Sequence, residues 1–257
     1  MPQAMFARAQ AYSANKIASI LAEADREPGF TSHIETVKRP VWRVGSKQAV
    51  EVAISQYMAQ PAPVRLKTGR LVHRKRRADH RSLVAGVVSW PDATVDFRPG
   101  AVDRDELKFK FRAWLEKTEA WLVEQYGSNL IGVCVHADES HPHLHFFVVG
   151  DAQRLHPGLK SELVDNVRIE QPAARFEAHK AGLKLWLDDY YASVGQHFGM
   201  ERTINAKPAW RIEDRATRAQ LFVIDKQLRN YPDIYIQEQR DAVWDREEKT
   251  DRPQMRF

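Results

Sequence analysis

Two apolar runs separated by only six residues constrain this chain more than any other feature. The first, LIGVCVH, spans Leu130–His136; the second, HLHFFVV, spans His143–Val149. So short a connection returns a strand antiparallel, because a parallel return needs a crossover of about a dozen residues or more. The pair predicts a hairpin of two buried strands, since both are nearly continuous in apolar residues. Side chains alternate along a strand. His143 and His145 then share one face, while Leu144 and Phe146 point to the other, into a core. Cys134, the only cysteine, lies in the first run and reads as a buried, inert thiol. A single cysteine excludes an internal disulfide and a thiolate metal cluster.

The rest of the chain supplies partners for this hairpin. LVAGVVSW (Leu83–Trp90) reads as a third buried strand ended by Pro91, with a loop after it. Ala4–Ser13 reads as a strand with partial alternation, and Lys16–Glu27 as a helix stopped by Pro28 and Gly29. Phe30–Gly45 reads as irregular, and Lys47–Met58 as helix. Asp103 and Glu106 have the spacing of a capping box. They open a helix with Leu107, Phe111, Trp114, Leu115, Thr118 and Leu122 on one face, closed by Gly127. A further helix from about Ala173 to Phe198 buries Phe176, Leu183, Trp186, Leu187, Tyr190 and Val194, and Gly199 caps it. The pattern is α+β: an antiparallel β-sheet with helices packed on its faces. Residues 1–204 make one domain. Residues 205–257 form a charged extension with a helix over Ile212–Arg229.

The hairpin also concentrates chemistry. Four of the ten histidines fall between His136 and His145, with Asp138 and Glu139 in the turn. His136, His143, His145 and Glu139 can converge on one point. Three imidazoles and a carboxylate suit Zn²⁺, Mn²⁺ or another first-row divalent ion. Asp138 either ligates directly or accepts a histidine ring N–H and fixes its tautomer. His141, ahead of Pro142, reads as solvent-facing. A cation so held polarises a phosphoryl oxygen.

Charge agrees with a polyanionic partner without demanding one. The net charge is +5 and the isoelectric point about 9.3. Basic residues crowd between Arg65 and Arg81, among them Arg70, Arg74, Lys75, Arg76, Arg77 and Arg81, with Asp79 the only acid. Such density suits phosphate contacts, although a solvated loop or helix start could carry the same charge. With this cluster expected beside the histidines, a nucleic-acid backbone is the natural substrate. Trp42, Trp90 and Trp210 are candidates for stacking bases, with Trp90 and Trp114 also readable as core. No run approaches the roughly 18 apolar residues of a membrane span. The N-terminus lacks signal-peptide features, so a cytoplasmic protein is expected.

HADESHPHLH resembles the HxDExxPHxH motif of the MobV (Mob/Pre) plasmid mobilisation relaxases, members of the HUH endonuclease superfamily. The flanks EAWLVEQYGSNLIGVCVHADES, RKRRADHRSLVAGVVSWP, MFARAQAYSANKIASILAEADRE and SVGQHFGMERT are similar to the corresponding family stretches, so the resemblance covers about residues 3–204. It implies a sheet of the HUH relaxase type and a divalent metal, Mn or Mg with Zn as the alternative, at His136, Glu139, His143 and His145, with Asp138 in support. It implies nicking and joining of one DNA strand at a plasmid origin of transfer, single-stranded or hairpin, through a covalent 5′-phosphate. A homodimer is one assembly open to it.

The family's motif I, HNxR, supplies its proposed nucleophilic histidine; here the stretch is EADR, with Glu23 at that position and Arg26 retained. His33, ten residues on, and Tyr12, on the first strand, are the candidate nucleophiles. Arg26 reads either as a phosphate clamp or as an ion-pair partner of Glu23 or Asp25. A hydrolytic metal-dependent nuclease and a non-catalytic origin-binding protein are the competing functions.

Overall fold

The computed structural model describes residues 3–66, 68–97 and 99–202. The chain divides into two units, residues 1–203 and 204–257. The expected C-terminal helix and Trp210 lie outside the described residues.

The first unit begins with β1 (Gln3–Ala4), β2 (Phe6–Ser13), α1 (Ala14–Ala24), β3 (Val41–Val44) and α2 (Lys47–Ala59). Then come β4 (Ala62–Arg65), β5 (Leu71–Arg74), β6 (Arg81–Ser89) and α3 (Arg104–Tyr126). β7 (Leu130–His136) and β8 (His143–Val149) form the expected hairpin with the expected bounds. After them follow α4 (Ala152–Leu155), α5 (Pro157–Ser161), β9 (Leu163–Val164), β10 (Val167–Arg168), α6 (Pro172–Ser193) and β11 (Met200–Glu201).

Five strands make the main sheet in the order β2-β6-β8-β7-β3, and every pairing in it is antiparallel. The hairpin is therefore central and must be apolar on both faces. On one face Val84, Val88, Val133, Val135, Leu144, Phe146 and Val148 meet Trp114 and Leu122 of α3 and Trp186 and Tyr190 of α6. On the other, Leu83, Ala85, Cys134, Phe147 and Val149 meet Ile17, Leu21 and Ala24 of α1 and Val50 and Ile54 of α2. Ile17, Leu21 and Ala24 stand four and three residues apart, so α1 presents them as one stripe. Gly86 is required in β6, because a Cβ there would overlap the Phe146 ring and the Arg8 carbonyl. Among the described residues no helix is long and apolar enough to cross a membrane.

Several elements differ from the sequence expectation. Val41–Val44, inside the stretch read as irregular, is the edge strand β3 on β7. Val41, Trp42 and Val44 favour a strand, but a four-residue run is too short to be told from loop alone; pairing defines it. Asp103 has φ 59 and makes no side-chain cap bond, so there is no capping box at the start of α3. α6 ends at Ser193, and a 3-10 turn, Gly195–Phe198, carries the chain to Gly199 at φ 68. Phe176 is 61% exposed rather than buried. The basic segment is neither helix start nor plain loop; β4 and β5 fold it into a two-stranded ribbon.

Candidate metal centre

The register of the central hairpin assembles the histidines. His136 of β7 stands opposite His143 of β8, and Cys134 opposite His145. All four therefore lie on the α1/α2 face, at the end of the hairpin next to its turn. The His136 and His145 ring centroids are 4.5 Å apart, His143 and His145 5.0 Å, and His136 and His143 5.2 Å. One ring nitrogen from each of the three lies within 4.8 Å of the others.

Burial keeps the His136 and His145 rings neutral, which is the form that binds a cation. Burial pushes the His136 pKa down to about 4, against the opposing bond to Ala24. His145 is also held well below its usual value, first by burial and then by its imidazole neighbours. His136 Nε2 lies 2.8 Å from the Ala24 carbonyl oxygen at the end of α1, which fixes it as the donor. That leaves Nδ1, buried and without a hydrogen-bond partner. His143 Nδ1 likewise lies 3.0 Å from the His141 carbonyl oxygen, leaving Nε2 for other use. Histidines that ligate metals typically tie their second nitrogen to such a carbonyl. The donor set fits a divalent ion.

The carboxylates are organised by Arg26. It follows the Asp25 cap of α1 and has φ 57, a left-handed conformation that costs a non-glycine residue roughly 1–2 kcal/mol. The turn sends its guanidinium beneath the hairpin turn. Nη2 donates to Asp138 Oδ1 at 2.7 Å and to Glu139 Oε1 at 2.7 Å, and Nε donates to Asp138 Oδ2 at 3.1 Å. The Arg26 and Asp138 side chains are 2% and 1% exposed. Burial alone would raise both carboxyl pKa values; Arg26 with the Lys38 amide at Asp138, and His143 with Arg26 at Glu139, hold both below their usual range.

Two expectations are corrected here. Asp138 holds Arg26 and the Lys38 amide rather than a histidine ring N–H. Arg26 is paired with Asp138 and Glu139, 112 and 113 residues away, rather than with Glu23 or Asp25. No sequence spacing signals such a contact. Glu23, which occupies the resembling family's nucleophile position, is exposed.

His33 is brought to the centre. Its Nε2 lies 3.8 Å from Glu139 Oε1, and the side chain is half-exposed. His143 Nε2 lies 3.6 Å from the same oxygen. Glu139 thus joins the buried histidines to an open cleft of about 660 Å³, lined by His33, Lys38, Thr94, Phe97, Phe111 and Glu139 among others. Trp90 N donates to the Pro142 carbonyl and Thr94 N to the Ser140 carbonyl, tying the histidine turn to the segment after β6.

Other candidates stand elsewhere. Tyr12 pairs with Leu83, whereas His145 pairs with Val87, four residues along β6 and one strand further across. That places Tyr12 about 14 Å along the sheet from the histidines, at the opposite end. The basic segment is likewise not beside them. Arg81 starts β6, and six residues separate it from Val87, or about 20 Å. Arg76 lies 4.0 Å over the Tyr57 ring and donates to the Tyr57 carbonyl, bracing the ribbon on α2. Arg77 pairs with Asp79 in full exposure. Arg70 and Arg74 flank and close β5, and Lys75 follows; all three are exposed. Trp42, half-buried, packs on Phe147 and donates to Asp25, whereas Trp90 is buried in the aromatic core and offers no stacking face.

The sequence model of the Mob_Pre family, described as "Plasmid recombination enzyme", matches residues 102–207. The matched segment carries α3, β7, β8 and α6, and with them His136, Asp138, Glu139, His143 and His145. Arg26 and His33 lie outside it. Among solved structures, the chain is similar to the MobM relaxase domain (MOBV; Mob_Pre) bound to plasmid pMV158 oriT DNA, in a Mn-bound crystal structure. The identity is 16% and the TM-score 0.49, over 82% of this chain and 98% of that one. A second Mn-bound structure of that domain gives 19% identity and a TM-score of 0.44, over 82% and 99%. No curated protein matches.

Proposed function

We propose that this protein is a plasmid mobilisation relaxase: it nicks one DNA strand at an origin of transfer, holds the 5′ phosphate covalently, and rejoins it. The observation that carries the reading is the trio of His136, His143 and His145, the first two buried and the third half-buried, with one imidazole nitrogen left without a partner, opening through Glu139 onto a cleft that contains His33. A divalent ion held by the three histidines, Mn²⁺ being the first to test, would supply charge stabilisation at a phosphoryl oxygen.

The chain's own residues take the remaining roles. His33 is the nucleophile: a ring nitrogen forms the bond to phosphorus, the bond to the 3′ oxygen breaks, and that oxygen leaves as an alkoxide that takes a proton from water in the open cleft. Glu139 faces His33 Nε2 and accepts the ring proton as the bond forms. Arg26 positions Glu139 and keeps it ionised before attack. The exposed basic residues Arg70, Arg74, Lys75, Arg77 and Arg81 hold flanking DNA at the far end of the sheet, by charge rather than base reading.

The test is incubation with Mn²⁺ and a supercoiled plasmid bearing its own origin. Relaxed circles with a protein–DNA adduct are expected, and mass mapping should place the adduct on His33. Nicking without an adduct would mean hydrolysis, binding without nicking would leave an origin-binding protein, and an adduct that survives His33→Ala would remove His33 from the role.

A further inference from the structure

The α1/α2 face of the sheet is not covered along its whole length. Tyr12 of β2 packs into the core of that face, whereas Ala7, Ala9 and Ala11 pack on the opposite one. By alternation Phe6, Arg8 and Gln10 share the face of Tyr12, which is also the face of the histidines. The register sets Arg8 beside Val87, itself beside His145, and Phe6 beside Ser89, itself beside His143. Where α1 and α2 lie, this face is buried at Leu83, Ala85, Cys134 and Phe147. Next to the histidines it opens: Val87 and Ser89 are half-buried, Phe6 is 38% exposed, and Arg8 is exposed. Arg8 donates to Gln10 Oε1 at 2.8 Å and, among the described residues, has no carboxylate within ion-pair distance.

We propose that this strip, Phe6 and Arg8 of β2 with Val87 and Ser89 of β6, is a floor on which a DNA single strand lies as it leaves the metal centre. The proposal rests on the relaxase reading above and deepens it. Two inter-strand spacings place Arg8 about 10 Å from His145, in reach of a phosphate next to the one being cut. A guanidinium without a carboxylate partner is suited to that anion. Phe6, one row closer to the turn, offers a ring to a base; such stacking tolerates any sequence. The same positions could serve only to charge a sheet edge against aggregation, and the experiment separates the two.

Binding of fluorescein-labelled oligothymidine is measured by anisotropy across a salt series with Mn²⁺ present, for wild type, Arg8→Ala, Arg8→Lys, Phe6→Ala and Arg112→Ala. Arg112 is exposed on α3, which packs on the other face. Arg8→Ala should bind on the order of tenfold more weakly and lose about 0.7 from the salt slope, the share of one phosphate contact on a single strand. Arg8→Lys should recover the slope. Phe6→Ala should weaken binding roughly tenfold without changing the slope. Arg112→Ala should behave as wild type. Wild-type binding with Arg8→Ala unchanged in affinity and slope would overturn the strip alone and leave Arg8 as an edge charge. A wild type that binds no single strand would overturn the relaxase reading and the strip together.

Discussion

His136 and His156 are both deeply buried, in different circumstances. His136 and His156 are 1% and 4% exposed, and each bonds a distant backbone carbonyl, Ala24 at 2.8 Å and Ala9 at 3.1 Å. At His156 the second nitrogen is used as well: it caps α5 by accepting the Leu159 amide at 3.2 Å. At His136 the second nitrogen has no partner. A buried polar atom left alone costs about 1–3 kcal/mol. A ring satisfied on both sides is fastening; a ring satisfied on one side, with two more imidazoles at 4.5 and 5.2 Å, is a site.

The contrast can be broken most severely at Arg26. Arg26→Ala strands Asp138 as a buried charge, and urea denaturation should show a loss of about 3–5 kcal/mol. A loss under about 1 kcal/mol would mean that the hairpin turn does not depend on this pair. Next comes His136→Ala. Mn²⁺ binding by calorimetry should disappear, and nicking should fall by more than the roughly 100-fold of losing an outer partner. Mn²⁺ at about 100 times its dissociation constant should add about 2.7 kcal/mol to wild-type stability and nothing to this variant; equal stabilisation of both would deny His136 its place in the centre.

His156→Ala should do the reverse. It removes a cap and leaves a cavity, about 2 kcal/mol together, with Mn²⁺ affinity unchanged. The smallest effect is in pH. Burial, helped by neighbouring His179 and Arg81, holds the His156 pKa below its ordinary value against the bond to Ala9 and the Glu162 charge, which raise it. The folded state therefore takes up the proton less readily than the unfolded chain. The His156 contribution is whole above about pH 6.5, the unfolded value, and is lost as pH falls through the lowered folded value. Subtracting the His156→Ala profile from wild type should isolate this fall; a flat difference from pH 8 to 5 would refute it.

Much of the fold was legible because it repeats a local rule. The β7–β8 bounds follow from apolar runs and a short connection, and the stripe of α1 from helical spacing. β3 was not legible: Val41–Val44 becomes a strand only by pairing with β7. The capping box failed because Asp103 turned left-handed. In the site, the histidines were legible through alternation. The tie from Arg26 to the turn was not, since its partners stand more than a hundred residues along the chain.

By itself the sequence determined that His143 and His145 share a face, that His136 ends the neighbouring strand, and that an internal disulfide and a thiolate metal cluster are excluded. These follow from period, spacing and composition, which are properties of short segments. Only the tertiary structure decided which groups surround them. It brought His33 within 3.8 Å of Glu139 and committed Asp138 to Arg26. It sent Tyr12 and the basic ribbon to the far end of the sheet, and left Arg8 on an open strip beside the histidines. The physical reason is strand direction: antiparallel pairing fixes which end of each strand meets which end of its neighbour, and no single segment carries that choice.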